Sequence, residues 1–174
     1  DIEIRKTKGV SGQMSLKKAW NMMRELGVVT LPITEGEYLQ GLITIGDIAN
    51  AYMEVYDNRS LSAAKTSYKN IIETLDGVLL NGDEHAVFEQ GEVVIATANP
   101  DVMEDFLHEG DMVILGNRYE SQLCAIEMNA ACIVVCMDAK VSKTIQKLAQ
   151  EHNCSIIMTP HDTFTVARMM NQSM

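Results

Sequence analysis

Val93-Val94-Ile95-Ala96 and Ile133-Val134-Val135 are unbroken apolar runs. A strand with one wet face alternates apolar and polar residues, so runs like these belong to strands covered on both faces. More short apolar segments flank them, and helical patterns lie between. The expected strands are Val78–Leu80, Glu92–Ala98, Met112–Leu115, Cys132–Met137 and Ser155–Met158. The expected helices are Asp101–His108, Tyr119–Met128, Val141–Glu151 and Asp162–Met170, with Asp101, Asp138 and Asp162 as capping residues. Strand–helix alternation with short connections implies a mainly parallel sheet with right-handed crossovers.

The first third has another rhythm. Leu16, Ala19, Trp20, Met23 and Leu26 recur at helical spacing behind Ser15, a candidate N-cap, and Gly27 follows as a stop. Two strands, Val28–Ile33 and Tyr38–Thr44, flank a turn at Glu35-Gly36-Glu37, and a second helix is expected from about Gly46 to Tyr56. The stretch 58–68 is small and polar. The fold class is therefore α/β, a helix–strand–strand–helix unit over 1–65 followed by an α/β domain over 66–174. The alternative is a helix that begins in this stretch and runs to Leu75.

Composition narrows the partners. The net charge is −10, and no Lys or Arg falls between Lys69 and Arg118, a segment rich in carboxylates. Such a surface repels phosphate backbones and anionic lipid, so neither nucleic acid nor membrane is an expected partner. No apolar run reaches the roughly 18 residues of a membrane span, and the charged start at Asp1 to Lys8 is no secretory leader. Cys124, Cys132, Cys136 and Cys154 lie in or beside apolar runs with no C-x-x-C pair. They read as small core residues of a cytoplasmic protein.

The sharpest local feature is Gly41-Leu42-Ile43-Thr44-Ile45-Gly46-Asp47, where a strand gives way to a helix. The Thr44 hydroxyl and the free N–H groups of Ile45 and Gly46 make an anion pocket. Asp47 stands at the same mouth, where a carboxylate can accept from two vicinal ribose hydroxyls. Phosphate on one side and ribose on the other describe a nucleotide. The competing reading is a capping box, with Thr44 as N-cap and Asp47 as the acid three residues on.

Helix–strand–strand–helix over Ser15 to Val55, with Thr30-Leu31-Pro32-Ile33 and the closing T-x-x-D, resembles a CBS motif. That resemblance implies that Thr44 and Asp47 hold phosphate and ribose of an adenine nucleotide, with main chain from Val28 to Thr30 facing the adenine. The later segments Leu115-Gly116-Asn117-Arg118, Gln122, Ala125-Ile126-Glu127 and Thr159-Pro160-His161-Asp162-Thr163-Phe164 resemble a DRTGG domain. The Thr-Gly-Gly usual in such domains is replaced by Cys136-Met137-Asp138. A CBS motif followed by a DRTGG domain is similar to the regulatory region of CBS-domain-containing family II inorganic pyrophosphatases. The resemblance implies AMP, ADP, ATP or a diadenosine polyphosphate as regulatory ligand, a second CBS motif, a homodimer, and a separate catalytic domain that uses manganese or cobalt.

No nucleophile–base pair or metal-ligand spacing stands out, so neither catalytic nor metal residues are expected, and no cofactor within this chain. An enzyme built on Asp138, Thr159, His161 and Asp162 is a competing reading; a dimerisation or scaffold module with no small ligand is the other. Arg118 follows one strand and precedes a helix. It is expected at a subunit interface or on an anion, against a local pair with Glu120 or Asp111. Met22, Met23, Met169 and Met170 suit either an adaptable interface or plain core filling.

Overall fold

In the computed structural model, which describes residues 10–11, 16–35, 37–49, 59–96 and 100–173, helix α1 spans Leu16–Leu26. The expected Ser15 cap lies outside the described residues. Ala19, Trp20 and Met23, spaced by four and three, are buried along one face of α1. Gly27 ends it with φ +64°, a conformation cheap only without a Cβ. The amides of Gly27 and Val28 then bond back to the carbonyls of Arg24 and Met23, closing a Schellman turn. This turn aims the chain into β2 (Thr30–Glu35), which pairs antiparallel with β3 (Tyr38–Thr44). A short β1 (Val10–Ser11), absent from the sequence expectation, runs parallel to β2. Directly after β3 the chain turns into helix α2, described over residues 45–49; the expected continuation to Tyr56 lies outside the described residues.

The chain divides into two compact units, Asp1–Ile48 and Ala49–Met174. The second begins, among the described residues, with α3 (Ser60–Ala63), β4 (Thr66–Ser67) and α4 (Tyr68–Thr74). The stretch 58–68 is thus not one helix to Leu75. Ser67 stops it by capping α4, its hydroxyl accepting from the Asn70 amide at 3.2 Å.

Then come β5 (Val78–Asn81), β6 (Val87–Phe88), β7 (Val93–Ile95), α5 (Pro100–Met103), β8 (Met112–Leu115), α6 (Tyr119–Glu127), β9 (Cys132–Val135), α7 (Lys143–Glu151), β10 (Ser155–Met158) and α8 (Thr163–Met170). A 3-10 turn at Asn171–Ser173 follows. The main sheet has the order β5-β10-β9-β8-β7. Strands β7 to β10 are parallel, whereas β5 runs antiparallel to β10.

Both faces of this sheet are covered, as the unbroken apolar runs require. Val113, Leu115, Ile133, Val135 and Ile156 form one core with Cys124, Ala125 and Ile126 of α6 and Ile145 and Ala149 of α7. The alternate residues Met112, Ile114, Cys132, Val134 and Ile157 are buried on the other face. There α8 packs against β8 and α4.

Two expected helix details differ. The helix expected over Asp101–His108 is helical only to Met103 and continues in turns. Helix α7 is capped by Ser142, whose hydroxyl accepts from the Ile145 amide at 3.2 Å, and not by Asp138. Met23 and Met170 are core residues, which favours plain core filling for both.

Candidate nucleotide site

Strand β3 ends at Thr44 and α2 starts one residue later, so both groups of the T-x-x-D string stand at one helix mouth. Asp47 N–H donates to Thr44 Oγ1 at 3.0 Å, and Thr44 N–H donates to Asp47 Oδ2 at 2.7 Å. This is a reciprocal capping box, the simpler of the two readings of the motif. Asp47 is exposed and Thr44 half-buried.

The box also orients both groups. A hydroxyl carries one proton and two lone pairs. Thr44 Oγ1 accepts from the Asp47 amide and keeps its proton for a further partner. One Asp47 oxygen is held by the chain, and a carboxylate has lone pairs to spare for further donors. At the same mouth the Ile45 amide is already committed to the Val29 carbonyl at 2.9 Å. The Val28 amide is committed to Met23 at 3.0 Å. Gly46, next in the string, is buried. Val29 is half exposed, and Thr30 is paired with Thr44 across the hairpin.

In the second unit, Arg118 is exposed and sits at the N-cap position of α6. The Asp111 carboxylate, buried to 2% exposure, accepts from the amides of Glu92 at 3.0 Å and His108 at 2.9 Å. In open parallel sheets a ligand crevice forms where the strand order reverses direction. Here β7, β8, β9 and β10 step one way across the sheet, so the parallel part has no such reversal.

The residues of the competing enzyme reading do gather at one sheet edge, in structural roles. Thr159, fully buried, donates from Oγ1 to the Leu75 carbonyl at 2.7 Å. Asp162 caps α8 by accepting from the Thr165 amide at 2.8 Å. His161 Nε2 lies 2.8 Å from Asp76 Oδ2, a pair with no local signature because its partners are 85 positions apart. Met137 and Asp138 both adopt positive φ, +61° and +50°, in a turn closed by Ala139 N–H on the Cys136 carbonyl at 3.3 Å. These are the positions where the resemblance led one to expect glycines.

All four cysteines are buried thiols. Burial pushes Cys136 and Cys154 up to about 12 and holds Cys132 well above the usual thiol range. Cys124 is raised by burial and then by the carboxylate of Glu104. None is poised as a nucleophile.

The CBS domain family matches residues 1–54 and the DRTGG domain family residues 70–173. The crystal structure of the CBS and DRTGG domains of the regulatory region of Clostridium perfringens pyrophosphatase, complexed with activator, diadenosine tetraphosphate, is 35% identical. It aligns with a TM-score of 0.65 over 100% of this chain and 76% of that one. The chain belongs to the CBS–DRTGG family. Among curated family relatives, the cobalt-dependent inorganic pyrophosphatase of Clostridium perfringens (strain 13 / Type A) is 34% identical. The probable manganese-dependent inorganic pyrophosphatase of Thermotoga maritima is 23% identical. Each match covers 100% of this chain and 32% of the relative, so the chain spans about a third of the length of these two proteins. No helix among the described residues is long and apolar enough to cross a membrane.

Proposed function

We propose that this chain is the adenine-nucleotide-sensing regulatory region of a metal-dependent inorganic pyrophosphatase. In this reading Thr44 and Gly46 hold a phosphate and Asp47 a ribose. AMP, ADP, ATP and diadenosine polyphosphates are the ligand class, and the main chain at Val28 and Thr30 flanks the adenine. The observation that carries the reading is the reciprocal Thr44–Asp47 pair, which leaves the Thr44 hydroxyl proton and carboxylate lone pairs of Asp47 for further partners. The relative's complex with diadenosine tetraphosphate supports the ligand class.

The catalytic domain, its manganese or cobalt and a second CBS motif would belong to the rest of the parent protein. The described residues of this chain hold no group of three or more His, Cys, Asp or Glu placed to bind a metal, so no step here runs through one. A cytoplasmic homodimer, with Arg118 near its rim, completes the proposal; the buried, thiol-state cysteines suit a reducing compartment.

The scaffold reading is favoured by one observation: Tyr38, Leu39 and Leu42 of β3 are exposed apolar residues on a short hairpin. Calorimetry decides between the two. Diadenosine tetraphosphate should bind the intact chain, and Asp47→Ala should weaken it by at least about 1.5 kcal/mol, the scale of a hydrogen bond to a charged group. Heatless titrations with this ligand, AMP and ATP alike would leave the scaffold.

A further inference from the structure

Helix α6 carries one stripe made of two kinds of side chain. Glu120, Leu123, Cys124 and Glu127 follow the three, four and seven spacing that puts residues on a single helix face. The two glutamates are separated by about 10.5 Å along the axis, at 1.5 Å per residue. The apolar pair lies between them. Pro100 of α5 and Glu104, in the turn just after it, join this stripe and Met128 in lining a groove of about 190 Å3. The Cys124 thiol lies 3.7 Å from the Pro100 carbonyl, where α5 and α6 meet.

The floor and the rim of the groove differ in chemistry. Cys124 is buried and Leu123 and Met128 are half-buried, whereas Glu104, Glu120 and Glu127 are exposed. Among the described residues no Lys or Arg lies within ion-pair distance of these three glutamates. Their field reaches the floor: after burial, the charges that raise the Cys124 thiol are those of Glu104, Glu127 and Asp101. A second copy is a poor occupant, because a two-fold contact would set this face against itself and bring glutamates onto glutamates. A cation suits the rim. Apolar length between its charges suits the floor.

We propose that this groove binds a linear aliphatic polyamine, with ammonium groups on Glu104, Glu120 and Glu127 and methylenes on Leu123 and Met128. An extended triamine such as spermidine spaces its end nitrogens about as far apart as Glu120 and Glu127 stand along α6. A metal dication would meet the rim but leave the apolar floor unused. The proposal does not depend on the nucleotide reading, because every residue it uses lies within residues 100–128 of the second unit.

Spermidine titrated into the intact chain at low salt, followed by backbone amide resonances, tests this. The amides of Glu104, Leu123 and Glu127 should shift and saturate together at one molecule per chain. The double variant E120Q/E127Q should weaken binding by about five- to tenfold, the scale of two exposed ion pairs. The double variant E84Q/E89Q, which neutralises two exposed carboxylates outside the groove, should leave the affinity unchanged. Shifts that never saturate, or that are as large around Glu84 and Glu89 as in the groove, overturn the proposal. The same shifts with magnesium chloride in place of spermidine also overturn it, because charge alone would then suffice. Saturable binding of an oligolysine peptide with no response to spermidine overturns it in favour of a basic protein segment. The magnesium and peptide comparisons use the unaltered chain and do not depend on how a variant folds.

Discussion

The two units solve the problem of a small sheet in opposite ways. The second covers both faces of its main sheet and leaves Ile114, Ile133, Val134 and Ile156 with no exposure. The first buries one side against α1 but leaves Tyr38, Leu39 and Leu42 of β3 in solvent, beside a helix mouth of polar groups. Burial makes the second unit the stable platform, while the exposed groups of the first are the ones free to meet a ligand or another chain.

The contrast is broken most directly by cavities. Ile156→Ala should cost the second unit about 2–5 kcal/mol in denaturant unfolding. Leu42→Ala should change stability by less than about 0.5 kcal/mol. Equal costs would mean that β3 is covered after all.

Asp111→Ala should come next, at about 2–3 kcal/mol, because it leaves the Glu92 and His108 amides facing a buried gap. A loss confined to the second unit's transition is expected. A shift in the first unit's transition as well would contradict the separation of the two.

Alkaline pH sharpens the same difference, since the raised thiols all lie in the second unit. Cys136 and Cys154 ionise at about 12 when folded and near their ordinary 9.0 when unfolded. Their raised values favour the folded chain fully below pH 9, and that stability is lost as pH rises from 9 toward 12. The Tyr68 hydroxyl, pushed up by burial, adds to the loss at the upper end. Chemical denaturation between pH 7 and 10.5 should show the second unit weakening above pH 9. A flat profile would mean that these thiols are solvated.

A small effect is expected at Met137, more than half exposed and at φ +61°. Met137→Gly removes the cost of a Cβ in the left-handed region but adds unfolded-state entropy, for a net gain of no more than about 1 kcal/mol. A measured loss would show that the side chain itself holds the turn.

What was legible in the sequence was local. Thr44, Gly46 and Asp47 are near neighbours, so their spacing alone placed them at one helix mouth. The strands Met112–Leu115 and Ser155–Met158 were bounded by their apolar runs, and the structure keeps those bounds. What was not legible was direction and distance. Nothing in Val78–Leu80 says which way it runs. The two residues of Val87–Phe88, too few for any periodicity, pair with β4 outside the main sheet, and β5 runs antiparallel to β10. Ser142 displaced Asp138 as a cap because Asp138 is held in the left-handed turn after β9. The bonds of Ser62 to Gly91 and of Thr159 to Leu75 join residues 29 and 84 positions apart, beyond any window of pattern.

The central claim is that the Thr44–Asp47 helix mouth binds the nucleotide. It is tested most directly by following backbone amide resonances while diadenosine tetraphosphate is titrated into the intact chain. The amides of Gly46, Thr44 and Asp47 should shift first and furthest, saturating together, and Asp47→Asn should abolish the ribose-dependent part of the shift without unfolding α2. Saturable shifts confined to the second unit, with these three amides unmoved, would contradict it.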